Sequence, residues 1–450
     1  MPGAVLWGLT QDTRSPVGIN LFANPPLTDA NCVVFARVRQ GKSFFLKLLV
    51  RRFLVSDPAS GTAGANDQRP HRGGRCVIVD AEASQEYRPL CEDLDGQYVR
   101  LGPGSPLRIN PFDLPPYDPD DDELADPERA HIASLLRLLE LLLADRGQHL
   151  SADERAICDL ALGATYDRAR ADSRTPLLGD LLWVLRHPTD TLADVDRRLL
   201  RSLATRLARW VEGSLGALFG QPTNMTLANP LTVFNVAALD EALRPIGIFL
   251  IEQFVWNQPC LLVVDELWLT LRTPEGGTFL ESMARKGPKY WFGLVVASQE
   301  PADCLASPSG QAIVDNSSTC VLLGMDAGAL RTAVDTFSLT PPETVALEMA
   351  SAGDALVLCG DARRLVQLEA SEQERLLFST TPAELAARNR QHRLSVTPAV
   401  AAATPAPVAM VAPVPDRSPA ASGRARLFDD QERTPGTLIA LDAPRRGPRP

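Results

Sequence analysis

At 450 residues and 45% hydrophobic content, the chain can bury one large core together with an inserted or appended domain. A net charge of −10 excludes a surface dedicated to holding nucleic acid by bulk electrostatics, though not a locally basic pore. Eight cysteines, at 32, 76, 91, 158, 260, 304, 320 and 359, stand far apart without a Cys-x-x-Cys pair, so buried free thiols in a reducing compartment are expected.

The opening Met1-Pro2-Gly3-Ala4-Val5-Leu6-Trp7 lacks a basic stretch followed by a long apolar run, and no signal peptide is expected. Asn31-Cys32-Val33-Val34-Phe35 reads as a short buried strand and residues 44–54 as a helix. Between them runs Ala36-Arg37-Val38-Arg39-Gln40-Gly41-Lys42-Ser43. The phosphates of ATP need backbone N–H donors, a mobile cation and a hydroxyl for Mg²⁺, and a loop ending in Gly-Lys-Ser between a strand and a helix supplies them. Arg39, Gln40, Gly41, Lys42, Ser43 and Phe44 are therefore the expected nucleotide-binding residues, with Lys42 on phosphate and Ser43 on the metal. The loop departs from the full pattern: Ala36 stands where the first Gly belongs, at a steric cost wherever φ must be positive. Arg37 and Arg39 bring charge close to the cradle, either adding a phosphate contact or crowding the site.

A Gly/Ser/Pro-rich loop over 57–74 leads to a strand over 75–79 that Asp80 closes, with Glu82 and Glu86 soon after; a further strand covers 97–101. These acids would face the same edge of a sheet, although a helix N-terminus attracts acids for dipole reasons alone. Residues 115–127 are acidic and Pro-rich and read as a solvated linker without the ligand spacing of a calcium loop. From 128 to 215 the periodicity is helical, over 132–144, 151–170 and 192–211, with a capping box at Ser151-Ala152-Asp153-Glu154. The greasiest of these, 132–144, is broken by Arg137 and Glu140 and is shorter than the ~20 residues of a membrane span. Arg197, Arg198, Arg201, Arg206 and Arg209 share one helix; without interleaved aromatic residues before Trp210, a solvated face is the simpler reading than a nucleic-acid surface.

Strands resume over 231–236, followed by a helix over 246–256 and the run Leu261-Leu262-Val263-Val264 ending in Asp265-Glu266. Four apolar residues and two acids describe a buried strand whose carboxylates emerge at the C-terminal edge, where open α/β sheets bind ligands. In a P-loop enzyme Asp265 would hold the Mg²⁺ shell and Glu266 would orient or deprotonate the attacking water. The bland alternative is an apolar strand ending in a solvated acidic turn. The next strand, over 291–298, leads into Gln299, which should sit beside the γ-phosphate; Arg285, Lys286 and Lys289 precede it, where one cation could reach a phosphate of its own or a neighbouring subunit. A strand over 320–323 and a hairpin of 355–359 and 364–368 close the pattern, and beyond 393 the Ala/Pro-rich composition reads as a disordered tail. Strands alternating with helices imply an α/β fold with a mostly parallel sheet.

The order of short motifs carries a family resemblance. Pro16-Val17-Gly18-Ile19-Asn20, the loop, Val79-Asp80 with Glu86-Tyr87, Asn110-Pro111-Phe112-Asp113, Leu218-Phe219-Gly220, Val264-Asp265-Glu266, Arg285-Lys286-Gly287-Pro288-Lys289-Tyr290 and Ser298-Gln299 come in this order. With Ser371-Glu372-Gln373-Glu374 and Thr380-Thr381-Pro382, the chain resembles the C-terminal motor domain of the VirB/TraC-type ATPases of type IV secretion and conjugation. The resemblance implies a RecA-like P-loop NTPase in two parts, 1–114 and 230–393, separated by an acidic linker and all-α insertion over 115–229 and followed by the tail at 394–450. It further implies ATP and Mg²⁺ as cofactors and a homo-hexamer in the cytoplasm, peripheral at the inner face of the membrane beside secretion-channel components, energising pilus assembly or substrate transfer. Carried over by position, Lys42 binds phosphate, Ser43 and Asp265 serve Mg²⁺, Glu266 activates water, Gln299 senses the γ-phosphate and Arg285 is a candidate charge-stabilising finger. Two departures are Ala36 and Arg39 in the loop, and the lack of the large N-terminal docking domain, which a separate subunit is expected to supply. Two other readings fit the same residues: a DNA-pumping motor of the HerA/FtsK type, whose DNA contact the charge does not indicate, and a scaffold subunit with a weakened nucleotide site.

Overall fold

Apolar runs without polar alternation need cover on both faces, and a twisted parallel sheet between helices provides it. In the computed structural model the described residues are 4–379, apart from 24–26, 56–73, 103–104, 106–107, 114–126, 144–148, 214–215, 217–219, 226–228, 241–242 and 256–258. The loop at 57–73, the acidic segment at 115–126, Leu218-Phe219, Thr380-Thr381-Pro382 and the tail at 394–450 lie outside the described residues.

One sheet contains β1 (Val5–Thr10), β2 (Pro16–Ile19), β3 (Cys32–Phe35), β4 (Cys76–Asp80), β5 (Gln97–Arg100), β6 (Leu231–Asn235), β7 (Leu261–Val264), β8 (Gly293–Ser298), β9 (Thr319–Leu323), β10 (Asp354–Cys359) and β11 (Ala362–Leu368). Their spatial order is β2-β1-β11-β10-β9-β3-β8-β7-β4-β6-β5. From β9 to β5 every pairing is parallel; from β9 outward to β2 every pairing is antiparallel. The expected parallel sheet therefore carries an antiparallel extension. Its hairpin, β10 and β11, was legible, whereas β1 and β2 are additions from the N-terminus.

Among the helices are α1 (Lys42–Val55), α2 (Arg88–Asp93), α3 (Pro127–Leu143), α4 (Ala152–Ala171), α5 (Leu178–Arg186), α6 (Arg197–Val211), α7 (Arg244–Val255), α8 (Leu267–Leu271) and α9 (Pro274–Lys286). Between β5 and β6 the described elements are helical, as the periodicity predicts, and Ser151 and Glu154 close the expected capping box at α4. On α6, Arg197, Arg198, Arg201 and Arg209 are exposed, in keeping with a solvated face, while Arg206 turns inward to Glu154 and the Leu143 carbonyl. The period-2 geometry of β3 divides the core: Val33 and Phe35 join the cluster shared with α3–α7, and Cys32 and Val34 the cluster shared with α1. All eight cysteines are free thiols, and seven of them are buried. Among the described residues no helix is long and apolar enough to cross a membrane.

Helix α1, which begins at the loop lysine, is strapped by the chain's later helix Glu372–Phe378. Arg52 meets Glu374 in a two-pronged pair, Nε to Oε1 at 3.0 Å and Nη2 to Oε2 at 2.9 Å, and Phe44 meets Phe378 edge-on at 5.9 Å. Burial works to raise the Glu374 carboxyl, but Arg52 and the Ser371 cap reverse this and hold it down at about 2. A depressed carboxyl stabilises the fold above its ordinary titration range and loses that contribution as pH falls toward the depressed value. Glu374→Gln should therefore cost about 1–3 kcal/mol at pH 7. In thermal melts the gap to the wild type should shrink on acidification toward about pH 3; equal melting temperatures at pH 7 would reject the strap.

Candidate nucleotide site

Because β8 lies between β3 and β7, three turns from distant parts of the chain open side by side at the C-terminal edge: the loop after β3, Asp265-Glu266 after β7 and Gln299 after β8. The register places Phe35 opposite Ser298 and Val264 opposite Val296, so the residues that follow are neighbours.

The centre is an ion cluster. Lys42 Nζ lies 2.9 Å from Asp265 Oδ1 and also contacts Glu266 Oε1, with all three side chains under 10% exposed. Gln299 Nε2 donates to the same Glu266 oxygen at 3.2 Å. The other carboxylate oxygens have donors of their own: Tyr87 OH on Asp265 Oδ2 at 2.8 Å, and Trp268 Nε1 on Glu266 Oε2 at 2.7 Å. Burial pulls the Lys42 ammonium down, and Asp265 and Glu266 together outweigh it, so the lysine stands above its ordinary range and carries its charge. Glu266 itself occupies the left-handed region, with φ 64°, where the chain turns from β7 into α8.

A second set of charged groups backs the cluster. Lys47, on α1, pairs with Glu86 at 3.0 Å and holds its ammonium 5.4 Å from the Tyr87 ring centre. Asp80, at the end of β4, accepts from Asn235 Nδ2 at 2.9 Å and from the Glu82 amide at 3.0 Å. Burial, more than these bonds can offset, pushes the Asp80 carboxyl up to about 6, with the Asp265 charge adding to the rise.

The loop's backbone sorts its two departures. Arg39 has φ 67° and Gly41 φ 100°, so the left-handed cost falls on Arg39; Ala36 is buried and is not among the positive-φ residues. Gln40 is buried beneath the loop. With its amide oxygen toward Arg37 (2.8 Å to Nη2, 2.9 Å to Nε) and its nitrogen toward the Ser351 carbonyl (3.2 Å), it ties the loop to the turn before β10. The Gly353 amide adds a bond to the Gln40 carbonyl at 3.3 Å.

These residues fit a magnesium nucleotide. The first-turn N–H groups of α1 lack intrahelical partners and the helix is positive there; Lys42 supplies a charged ammonium, and Ser43 and Asp265 offer a hydroxyl and a carboxylate for the metal. Lys42, Asp265, Glu266 and Gln299 are thus brought together as expected, with Ser43 and Phe44 on the first turn of α1. Arg285 is not brought to them: it ends α9, paired with Glu281 at 3.1 Å. The neighbouring Ala284 carbonyl accepts from Asn31, just ahead of β3, at the sheet's opposite edge. Tyr87 and Trp268 were missed as site residues. Tyr87 stood in the motif order without a role, and Trp268 leaves no periodic signal.

A sheet that places Gly-Lys-Ser after one strand, the acid pair after a strand two places away and a polar amide after the strand between defines a RecA-like P-loop NTPase fold. The structure is similar to that of VirB4 from Thermoanaerobacter pseudethanolicus, with a TM-score of 0.63 and 25% identity over 82% of this chain and 97% of that one. The resemblance to VirB/TraC-type motor domains read from the motifs thus holds for the fold as a whole. A more distant likeness is to the plasmid coupling protein TrwB in complex with ADP and Mg²⁺, with a TM-score of 0.49 and 16% identity over 76% of this chain and 85% of that one. No family model matches the sequence, and no curated protein does.

Two outcomes follow from this geometry. Arg39→Gly should relieve about 1 kcal/mol of backbone strain and raise the melting temperature, while Ala36→Gly should lower it by a similar amount through added unfolded-state entropy; the reverse order would overturn the assignment of strain. Asp80 is a raised carboxyl, so its favourable contribution is complete below about pH 4 and lost as pH rises through about 6. Asp80→Asn should accordingly gain stability over the wild type between about pH 4 and 7, by on the order of 2 kcal/mol, in parallel melts across that range.

Proposed function

We propose that this chain is an ATP-hydrolysing motor subunit of a type IV secretion or conjugative transfer system, energising pilus assembly or substrate transfer. The observation that carries the reading is the closure of Lys42 on both Asp265 and Glu266 inside a fold similar to VirB4. Bound Mg²⁺ would neutralise charge on the phosphates, held by Ser43 and Asp265. Lys42, attracted from the carboxylates to the phosphates, would leave Glu266 Oε1 free to take a proton from the attacking water, with the Gln299 amide beside it. Arg285 lies at the opposite edge of its own sheet, so a role as a finger would be exercised in a neighbouring subunit's site, which fits a hexamer at the inner face of the membrane with channel components as partners. The strained Arg39 favours one second reading, a scaffold subunit that binds nucleotide weakly.

Purified protein should hydrolyse ATP in a Mg²⁺-dependent way. Glu266→Gln should reduce turnover at least a hundredfold, on the order of the general-base contribution, with nucleotide binding retained, and Lys42→Ala should lose binding. Binding without turnover in an assembled wild-type oligomer would favour the scaffold; stimulation of turnover by DNA would favour a DNA pump.

A further inference from the structure

Each acid of the central pair has one oxygen facing Lys42 and one held from behind by an aromatic donor. Asp265 presents Oδ1 to Lys42 and, at 3.1 Å, to the Glu266 amide, while Oδ2 takes the Tyr87 hydroxyl. Glu266 presents Oε1 to Lys42 and Gln299, while Oε2 takes the Trp268 indole N–H. Both donors sit on firm supports. Tyr87 is wholly buried at the start of α2, under the Lys47 ammonium, and Trp268 lies in α8 with the Arg272 guanidinium 5.2 Å from its ring centre. Neither donor changes state near neutral pH. Burial and then Asp265 push the Tyr87 hydroxyl well above the usual phenol range, and an indole N–H only donates.

We propose that Tyr87 and Trp268 are positioning residues that divide the work of the acid pair: Tyr87 fixes the Asp265 carboxylate for the metal shell, and Trp268 fixes the Glu266 carboxylate for proton abstraction. The proposal rests on the ATPase reading above and adds the residues that orient its two carboxylates. A carboxylate held by one oxygen has its rotation about the last side-chain bond restricted, so the free oxygen keeps a defined direction when Lys42 leaves it. Removing the donor leaves the charge in place but takes away one of the two hydrogen bonds that limit this rotation, the other coming from the Glu266 amide on Asp265 and from Gln299 on Glu266. The two losses should then read out separately, because one acid serves binding of the metal–nucleotide pair and the other serves only chemistry.

The test uses the full chain, a fluorescent ATP analogue titrated over a range of Mg²⁺ concentrations, and ATP turnover. Tyr87→Phe should raise the Mg²⁺ concentration for half-maximal analogue binding about tenfold, the scale of one charged hydrogen bond, and should add nothing further in an Asp265→Asn background. Trp268→Phe should lower kcat about tenfold with KM and the Mg²⁺ dependence of binding unchanged, and Trp268→His, which keeps a ring N–H, should recover part of that loss. Equal losses of binding and turnover in both variants, no loss in either, or additivity of Tyr87→Phe with Asp265→Asn would overturn the proposal. If the wild type binds the analogue without turnover, the motor reading fails on its own. The Mg²⁺ arm then still decides Tyr87, and Trp268 is decided by emission: Glu266→Ala should shift the fluorescence component that Trp268→Phe removes, and an unchanged component would reject the contact.

Discussion

The structure depends on a buried cation having two buried anions to meet. Lys42 leaves water at the start of α1, and a lone ammonium in such a place would be neutralised or expelled; Asp265 and Glu266, equally withdrawn, would repel each other without it. The arrangement is tolerable because every carboxylate oxygen also has a hydrogen-bond donor, from Tyr87, Trp268, Gln299 or the Glu266 amide. A fully partnered cluster of this kind holds three strands in one register.

The sheet supplies what the cluster needs. Lys42 and Glu266 are separated by 224 positions in the chain, yet the insertion of β8 between β3 and β7 brings them into contact and adds Gln299 from the intervening strand. Helix α1 is held in this position by Glu374, which grips Arg52, and by Phe45, which packs edge-on against Trp7 of β1 at 5.1 Å. The antiparallel extension thereby contributes to holding the Gly-Lys-Ser loop: Gln40 reaches the turn before β10, and its side chain packs close to Gly324, after β9, where an added Cβ would come within 2.8 Å of it.

Much of this was legible because buried parallel strands are short apolar runs bounded by turn residues, and their ends carry the chemistry. The strands at 32–35, 231–235 and 261–264, and the hairpin across Gly360, could be read in that way. The strands Val5–Thr10 and Pro16–Ile19 could not, since the first interrupts its apolar run with Gly8 and the second is a four-residue edge strand that begins with proline. Whether Ala36 is strained is likewise a question of φ, which composition does not contain; the left-handed backbone lies at Arg39.

The sequence by itself determined the chemical parts: a Gly-Lys-Ser loop between a strand and a helix, an acid pair ending an apolar strand, a polar amide ending another, and a motif order resembling VirB/TraC-type motors. Those parts are local, so spacing and residue type suffice to find them. Only the tertiary structure decided how they meet. That Tyr87 holds the far oxygen of Asp265, that Asp80 is desolvated enough for its carboxyl to rise to about 6, and that Arg285 lies beside the Ala284–Asn31 contact at the other edge of the sheet all depend on segments far apart in the chain, while Trp268 meets Glu266 from two residues on, across the left-handed turn into α8. A single hydrogen bond or a buried charge imposes no periodicity on the residues around it, and the physical information lies in the packing that brings the partners together.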